Sequence, residues 1–249
     1  MTVPSRWLTM FILAALTAVR PACGAGDTTE TRLLFSPAPV GQWGGMASGE
    51  YDRRWLGNDL VEVKRFLLRL GGTPSRFGTL WLEVGVAAMD LTTGPGKIEG
   101  QYGVAAGAGW TATLPGLEFR GVLPFVSGRA TYFQTFVVND ETSENINRTI
   151  DRRYVWQEAF GVVGACRRWK KFSLHGGIAL RALFQDEFRK VSAYSAVTKR
   201  QYVYKSGVKP GAIGAVMIPL EGRLTVWIAA EVFNHAQKLT VTFGQWGPI

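Results

Sequence analysis

Residues Phe172 to Gln185 read FSLHGGIALRALFQ, and this segment alternates with a period of two. Phe172, Leu174, Gly176, Ile178, Leu180, Ala182 and Phe184 fall on one face of an extended strand. Ser173, His175, Gly177, Ala179, Arg181 and Gln185 fall on the other, with Leu183 the exception. An extended chain sends successive side chains to opposite faces. The apolar face carries an aromatic ring at each end and only aliphatic or small residues between. A strand that crosses a lipid bilayer has this profile, with rings at both interfaces.

The pattern recurs from residue 41 onward. Ten candidate strands begin near Trp43, Val61, Gly78, Gln101, Leu117, Arg153, Phe172, Gln201, Arg223 and Leu239; eight is the alternative count if the first pair stands outside the barrel. The strand from Leu117 to Val138 is read with a bulge near Ser127-Gly128-Arg129, where its phase slips. In the strand from Gln201 to Ile218, Tyr202, Tyr204, Val208, Ala212, Val216 and Ile218 are placed on one face, with Lys205 and Lys209 on the other. The polar stretches 139–152 and 187–199 read as surface loops. Short turns alternate with longer connections, the rhythm of a barrel with short periplasmic turns and long outer loops. The expected fold is all-β, a closed antiparallel up-and-down transmembrane barrel over residues 41–249.

The N-terminus fits export. Arg6 precedes the apolar run WLTMFILAALTAV, Arg20-Pro21 breaks it, and small residues follow, so residues 1–25 read as a signal peptide. Residues 26–40, with Pro37 and Pro39, read as a periplasmic lead-in. The net charge of +9 becomes +7 once Arg6 and Arg20 leave with the signal. The basic residues are dispersed, which argues against nucleic acid and for anionic lipid or an anionic solute. Only Cys23 and Cys166 are present, and Cys23 lies in or beside the signal, so no disulfide framework is expected.

Alternation alone does not say which face meets the apolar phase. A soluble barrel that binds a small apolar ligand turns its apolar face inward, and this is the competing architecture. Strand length, the Lys- and Glu-poor polar faces and the Gly103-x-Ala105-x-Gly107-x-Gly109 stripe favour lipid outside and a crowded lumen inside. On the signal, the strand rhythm and these faces, the mature chain resembles the small bacterial outer-membrane barrels of the OmpA-, OmpX- and OmpW-like group. The resemblance implies an outer-membrane address, assembly by the outer-membrane insertion machinery and contact with outer-membrane lipid. Such proteins commonly end on an aromatic residue that this machinery reads; here Trp246 stands three residues before the end.

The charged residues expected to face the lumen are Arg65, Arg69, Glu83, Glu118, Arg120, Glu158, His175, Arg181, Lys205, Lys209, Arg223 and Glu231. Tyr102, Trp110, Phe172, Phe184, Tyr202 and Tyr204 are expected at the membrane interfaces. Two readings of the lumen stay open: a plug of paired charges, or a narrow basic pore for small anionic solutes. Ser173 and His175 share a strand face, the one arrangement that brings a hydroxyl to an imidazole, but an orienting carboxylate is not evident beside them. No catalytic residue, metal site or cofactor motif is assigned. The expected role is structural or surface interaction, with the outer loops available to host molecules.

Overall fold

The computed structural model describes residues 42–56, 59–75, 78–93, 96–143, 146–169, 171–193, 196–220 and 224–248. The signal, the lead-in, Cys23 and Arg223 lie outside the described residues. The strands are β1 (Gln42–Leu56), β2 (Asp59–Ser75), β3 (Gly78–Thr93), β4 (Gly96–Ile98), β5 (Gly103–Thr113), β6 (Val122–Ser143), β7 (Ile146–Arg168), β8 (Ser173–Ala193), β9 (Ala196–Pro219), β10 (Leu224–Phe233) and β11 (Ala236–Pro248). All pair antiparallel. β1 pairs with both β2 and β11, and β2 pairs with β3, so ten strands close into a ring; β4 is a short hairpin arm on β3. Closure removes every sheet edge within the ring, so backbone N–H and C=O groups find partners without water.

The polarity of the ring is inverted relative to a soluble barrel. Leu70, Leu82, Val104 and Ile178 point outward and are 69%, 67%, 67% and 69% exposed, while Arg65 and Glu83 point inward at 3% and 1%. An apolar exterior around a charged interior is stable only if hydrocarbon surrounds it. The soluble-barrel alternative therefore falls, and the molecule is a transmembrane β-barrel.

Ladder lengths divide the ring into a low side and a tall side. β6, β7, β8 and β9 run 22, 23, 21 and 24 residues, whereas β10 has 10 and β5 has 11. The described residues of the stretches expected as loops, 139–143, 146–152, 187–193 and 196–199, are instead strand. Asn139 pairs with Ile150, Ser143 with Ile146, and Ala193 with Ala196. An antiparallel ladder satisfies backbone groups whatever side chains it carries, and above the membrane both faces meet water, so alternation is lost while the strand continues. The four strands thus rise as a wall beyond the rest of the barrel.

Two expectations about phase are corrected. β6 has no bulge at Ser127–Arg129: its register is continuous with both β5 and β7. The slip lies in β9, where Arg181 pairs with Lys209 but Leu183 pairs with Ser206. The extra residue there reverses the facing of everything on its N-terminal side.

Candidate functional site: a charged lattice across the lumen

The inward positions of β1 are Met46, Ser48, Glu50, Asp52 and Arg54, all buried. Alternation sets this: with Trp43, Tyr51 and Trp55 turned outward, the even residues must enter the lumen. Glu50 is the hub. Its carboxylate accepts from Arg69 Nη2 at 2.8 Å and lies 3.0 Å from Arg65 Nε, 2.7 Å from Arg129 Nη1 and 3.5 Å from Lys238 Nζ. Arg69 and Arg129 both reach on to Glu83, at 2.8 and 2.7 Å, and the Thr131 hydroxyl donates to the same carboxylate. A second focus is the pair Asp52 and Glu158. Arg54 and Arg181 each bridge the two; Arg181 Nη2 is 2.8 Å and Arg54 Nη2 3.5 Å from Glu158 Oε2. Arg65 joins the two foci, with Nη1 3.6 Å from Glu158. Lys238 also reaches Glu231 at 3.4 Å.

Six cations (Arg54, Arg65, Arg69, Arg129, Arg181, Lys238) thus interlock with five carboxylates (Glu50, Asp52, Glu83, Glu158, Glu231). β1 and β7 lie opposite each other in the ring. The Arg54–Glu158 pair therefore crosses the lumen. Guanidinium faces are also packed: Arg54 lies over Trp156 at 5.3 Å and Arg65 over Phe133 at 5.0 Å. Such stacking suits arginine's planar, weakly hydrated cation.

Apolar layers flank the lattice. Toward the tall end, Val61, Val63, Met89, Leu91, Phe133, Val137, Tyr154 and Trp156 pack together. Toward the opposite end, Phe125, Val162, Cys166, Ala215, Met217 and Trp227 do so. β5 makes room through its inward glycines. The Trp81 indole lies over Gly109, and a Cβ on Gly107 would stand 2.5 Å from Glu83 Oε1. Ser173 and His175 lie in the second layer, Oγ to Nε2 3.2 Å, with His175 against Phe125 and Trp227 at 6.0 and 4.7 Å. Both are buried, as is the free thiol of Cys166.

Of the residues assigned to the lumen from sequence, Arg65, Arg69, Glu83, Glu158, Arg181 and Glu231 enter the lattice; His175 lies below it and Lys209 is half-buried on the inner face of β9. Glu118 and Arg120 do not enter. They are exposed in the connection between β5 and β6, where Pro115–Leu117 forms a 3₁₀ turn and Arg120 and Gly121 take left-handed φ of 50° and 77°. That turn ends the strand the sequence extended back to Leu117. Lys205 points outward because the β9 bulge reverses its facing. It pairs with the outward Phe184. For the same reason Tyr202 and Tyr204 turn to the inner face, opposite Glu187 and Gln185, and Arg189 packs over the Tyr202 ring at 4.9 Å. Trp110 and Phe184 are outward, Tyr102 is exposed just before β5, and Phe172 stacks on Trp169 at 5.0 Å.

Sequence reasoning missed Glu50, Asp52, Arg54, Arg129 and Lys238. The signal was present for most. Placing Trp43 and Tyr51 outward fixes Glu50, Asp52 and Arg54 inward, and placing Leu239 and Val241 outward fixes Lys238. Arg129 was hidden by the bulge assigned to its own position.

The closed ring, its lipid-facing exterior and its salt-bridged interior define an outer-membrane-type β-barrel. No family model and no curated protein matches the chain. Among solved structures it is similar to the translocator domain of the autotransporter NalP from Neisseria meningitidis, at 7% identity, 84% of this chain, 88% of that chain and a TM-score of 0.44. It is also similar to the outer membrane protease OmpT from Escherichia coli, at 8% identity, 82% and 92% coverage and a TM-score of 0.44. A third similar structure is Ail, the attachment invasion locus protein of Yersinia pestis, at 10% identity, 84% and 99% coverage and a TM-score of 0.32.

Proposed function

We propose that this protein is a closed, non-catalytic outer-membrane barrel whose lumen is plugged and whose tall wall serves surface interaction. The carrying observation is the set of contacts from β1 to the far side of the ring, Glu50 to Arg129 and Arg54 to Glu158. Charges buried in pairs with stacked arginines hold one another in place. Moving any one of them aside leaves others unpaired in a low-dielectric interior. The near balance of six cations and five carboxylates leaves little net field to draw anions, which favours a plug over a basic pore. The Ser173–His175 pair is sealed in an apolar layer, which supports a structural role for it. Assembly by the outer-membrane insertion machinery accompanies this reading.

Planar bilayers test it. The purified full chain should insert without stable conductance steps, and the Glu50→Ala/Arg129→Ala variant should gain them. Regular open-channel steps from the unsubstituted protein would replace the plug with a pore.

A further inference from the structure

We propose that the outward face of the tall wall binds the phosphorylated headgroup of an outer-leaflet lipid, with one acyl chain lying in a lane of small residues below. A cavity of about 540 Å³ lies on this wall. It is lined by two neighbouring cross-strand rows of outward phase. One contains Phe136, Arg153 and Phe188; the next contains Asp151, Lys190 and Lys199. The inward row between them, Val137, Arg152, Arg189 and Arg200, also lines it. Arg153, Lys190 and Lys199 are exposed, and Asp151 is the one carboxylate among the described lining residues. Arg153 is already oriented: it lies over the Phe188 ring at 5.9 Å and its Nη2 donates to Gln134 Oε1 at 3.0 Å.

Position selects the ligand. Phe188 is four residues above Phe184 on β8, about 13 Å along the strand, and Phe184 ends the apolar band. The cleft therefore stands at headgroup height and faces the lipid phase, away from the axis of the barrel. A soluble polyanion would meet only its upper rim. Clustered arginine and lysine at a membrane surface bind phosphorylated headgroups, and the two exposed rings, Phe136 and Phe188 at 36% and 39%, suit a partly apolar partner. Further toward the membrane centre, the outward residues of β6 and β7 shrink to Gly128, Ala130, Ala159 and Gly161, with Trp110 lying across Gly128 at the lower end. Two outward rows, Gln134 with Val155 and Asp186, then Tyr132 with Gln157 and Phe184, separate the cleft from this lane, and an acyl chain leaving the headgroup crosses them to reach it. The inference uses the membrane address alone and holds whether the lumen is plugged or open.

Native mass spectrometry of the full chain in detergent provides the test, with bis-phosphorylated lipid A, its phosphate-free form and heparin as separate probes. The unsubstituted protein should retain one bis-phosphorylated lipid A. The Arg153→Gln/Lys190→Gln/Lys199→Gln variant should bind it about tenfold or more weakly. Ala159→Trp, which fills the lane without touching charge, should also weaken it. Lys171→Gln, exposed between β7 and β8 at the opposite end of the barrel, should leave binding unchanged, and unheated gel migration should confirm that each variant is folded. Equal retention by the triple variant, or equal retention of the phosphate-free lipid, would overturn the proposal. Heparin binding as tight as lipid A binding and indifferent to Ala159→Trp would overturn it in favour of a soluble polyanion.

Discussion

Arg129 on β6 meets Glu50 on β1 at 2.7 Å, although the two strands lie four places apart around the ring. The contact is an internal strut. It fixes the distance between two walls that share no backbone hydrogen bond. Glu50 also holds Arg65, Arg69 and Lys238. Glu50→Gln keeps the shape and removes the charge, leaving four cations under-compensated. Unfolding in urea from lipid vesicles should show a loss of about 3–5 kcal/mol. A loss below about 1 kcal/mol would mean that the lumen is wet enough to screen the cluster.

Glu158 and Arg181 sit 2.8 Å apart and share Asp52 and Arg54 as neighbours. A double-mutant cycle with Glu158→Gln and Arg181→Gln should give a coupling energy of roughly 0.5–3 kcal/mol. Additive effects would place the two groups in separate environments.

Val84 faces outward in the middle of the apolar band and is 60% exposed; Leu117 is 65% exposed but sits in the turn between β5 and β6. Equal exposure hides different solvents. Val84→Arg should cost about 2–4 kcal/mol in a bilayer, and Leu117→Arg should stay within about 0.5 kcal/mol. Equal tolerance at both sites would remove lipid from the outer face.

Gly109 is the floor on which the Trp81 indole rests. Gly109→Val forces the ring into the lumen, where it meets close-packed side chains, at a cost of about 1–3 kcal/mol. Pairing it with Trp81→Leu should recover part of the loss, measured by the same urea transitions. No recovery would place the strain elsewhere.

The ring was legible in the sequence because the bilayer imposes a period of two on each outward face. Leu80, Leu82, Val84 and Val86 cannot be misread, and neither can Leu224, Val226 and Ile228. Legibility failed where that constraint ends. Above the apolar band, residues 139–152 lose alternation and look like loop, yet the ladder continues to Ser143 and Ile146. In β9, Tyr202 and Tyr204 keep the right spacing and take the wrong side, because spacing cannot register one inserted residue at Ser206–Val208. The lattice was half legible for a related reason. Inward phase could be read strand by strand, but which charges meet depends on ring order, and Glu50 finds Arg129 only after closure.

The seam between β1 and β11 carries a consequence for biogenesis. Thr242 Oγ1 bonds Ser48 Oγ at 3.1 Å across 194 positions of chain, and thirteen residue pairs zip the two strands. Until the last strand has been synthesised, the first has no partner on that side, and the growing chain carries adhesive, unpaired backbone at both ends. Contacts so distant in sequence form late and slowly. A truncation before Ala236 therefore leaves an open, aggregation-prone sheet in place of a smaller barrel.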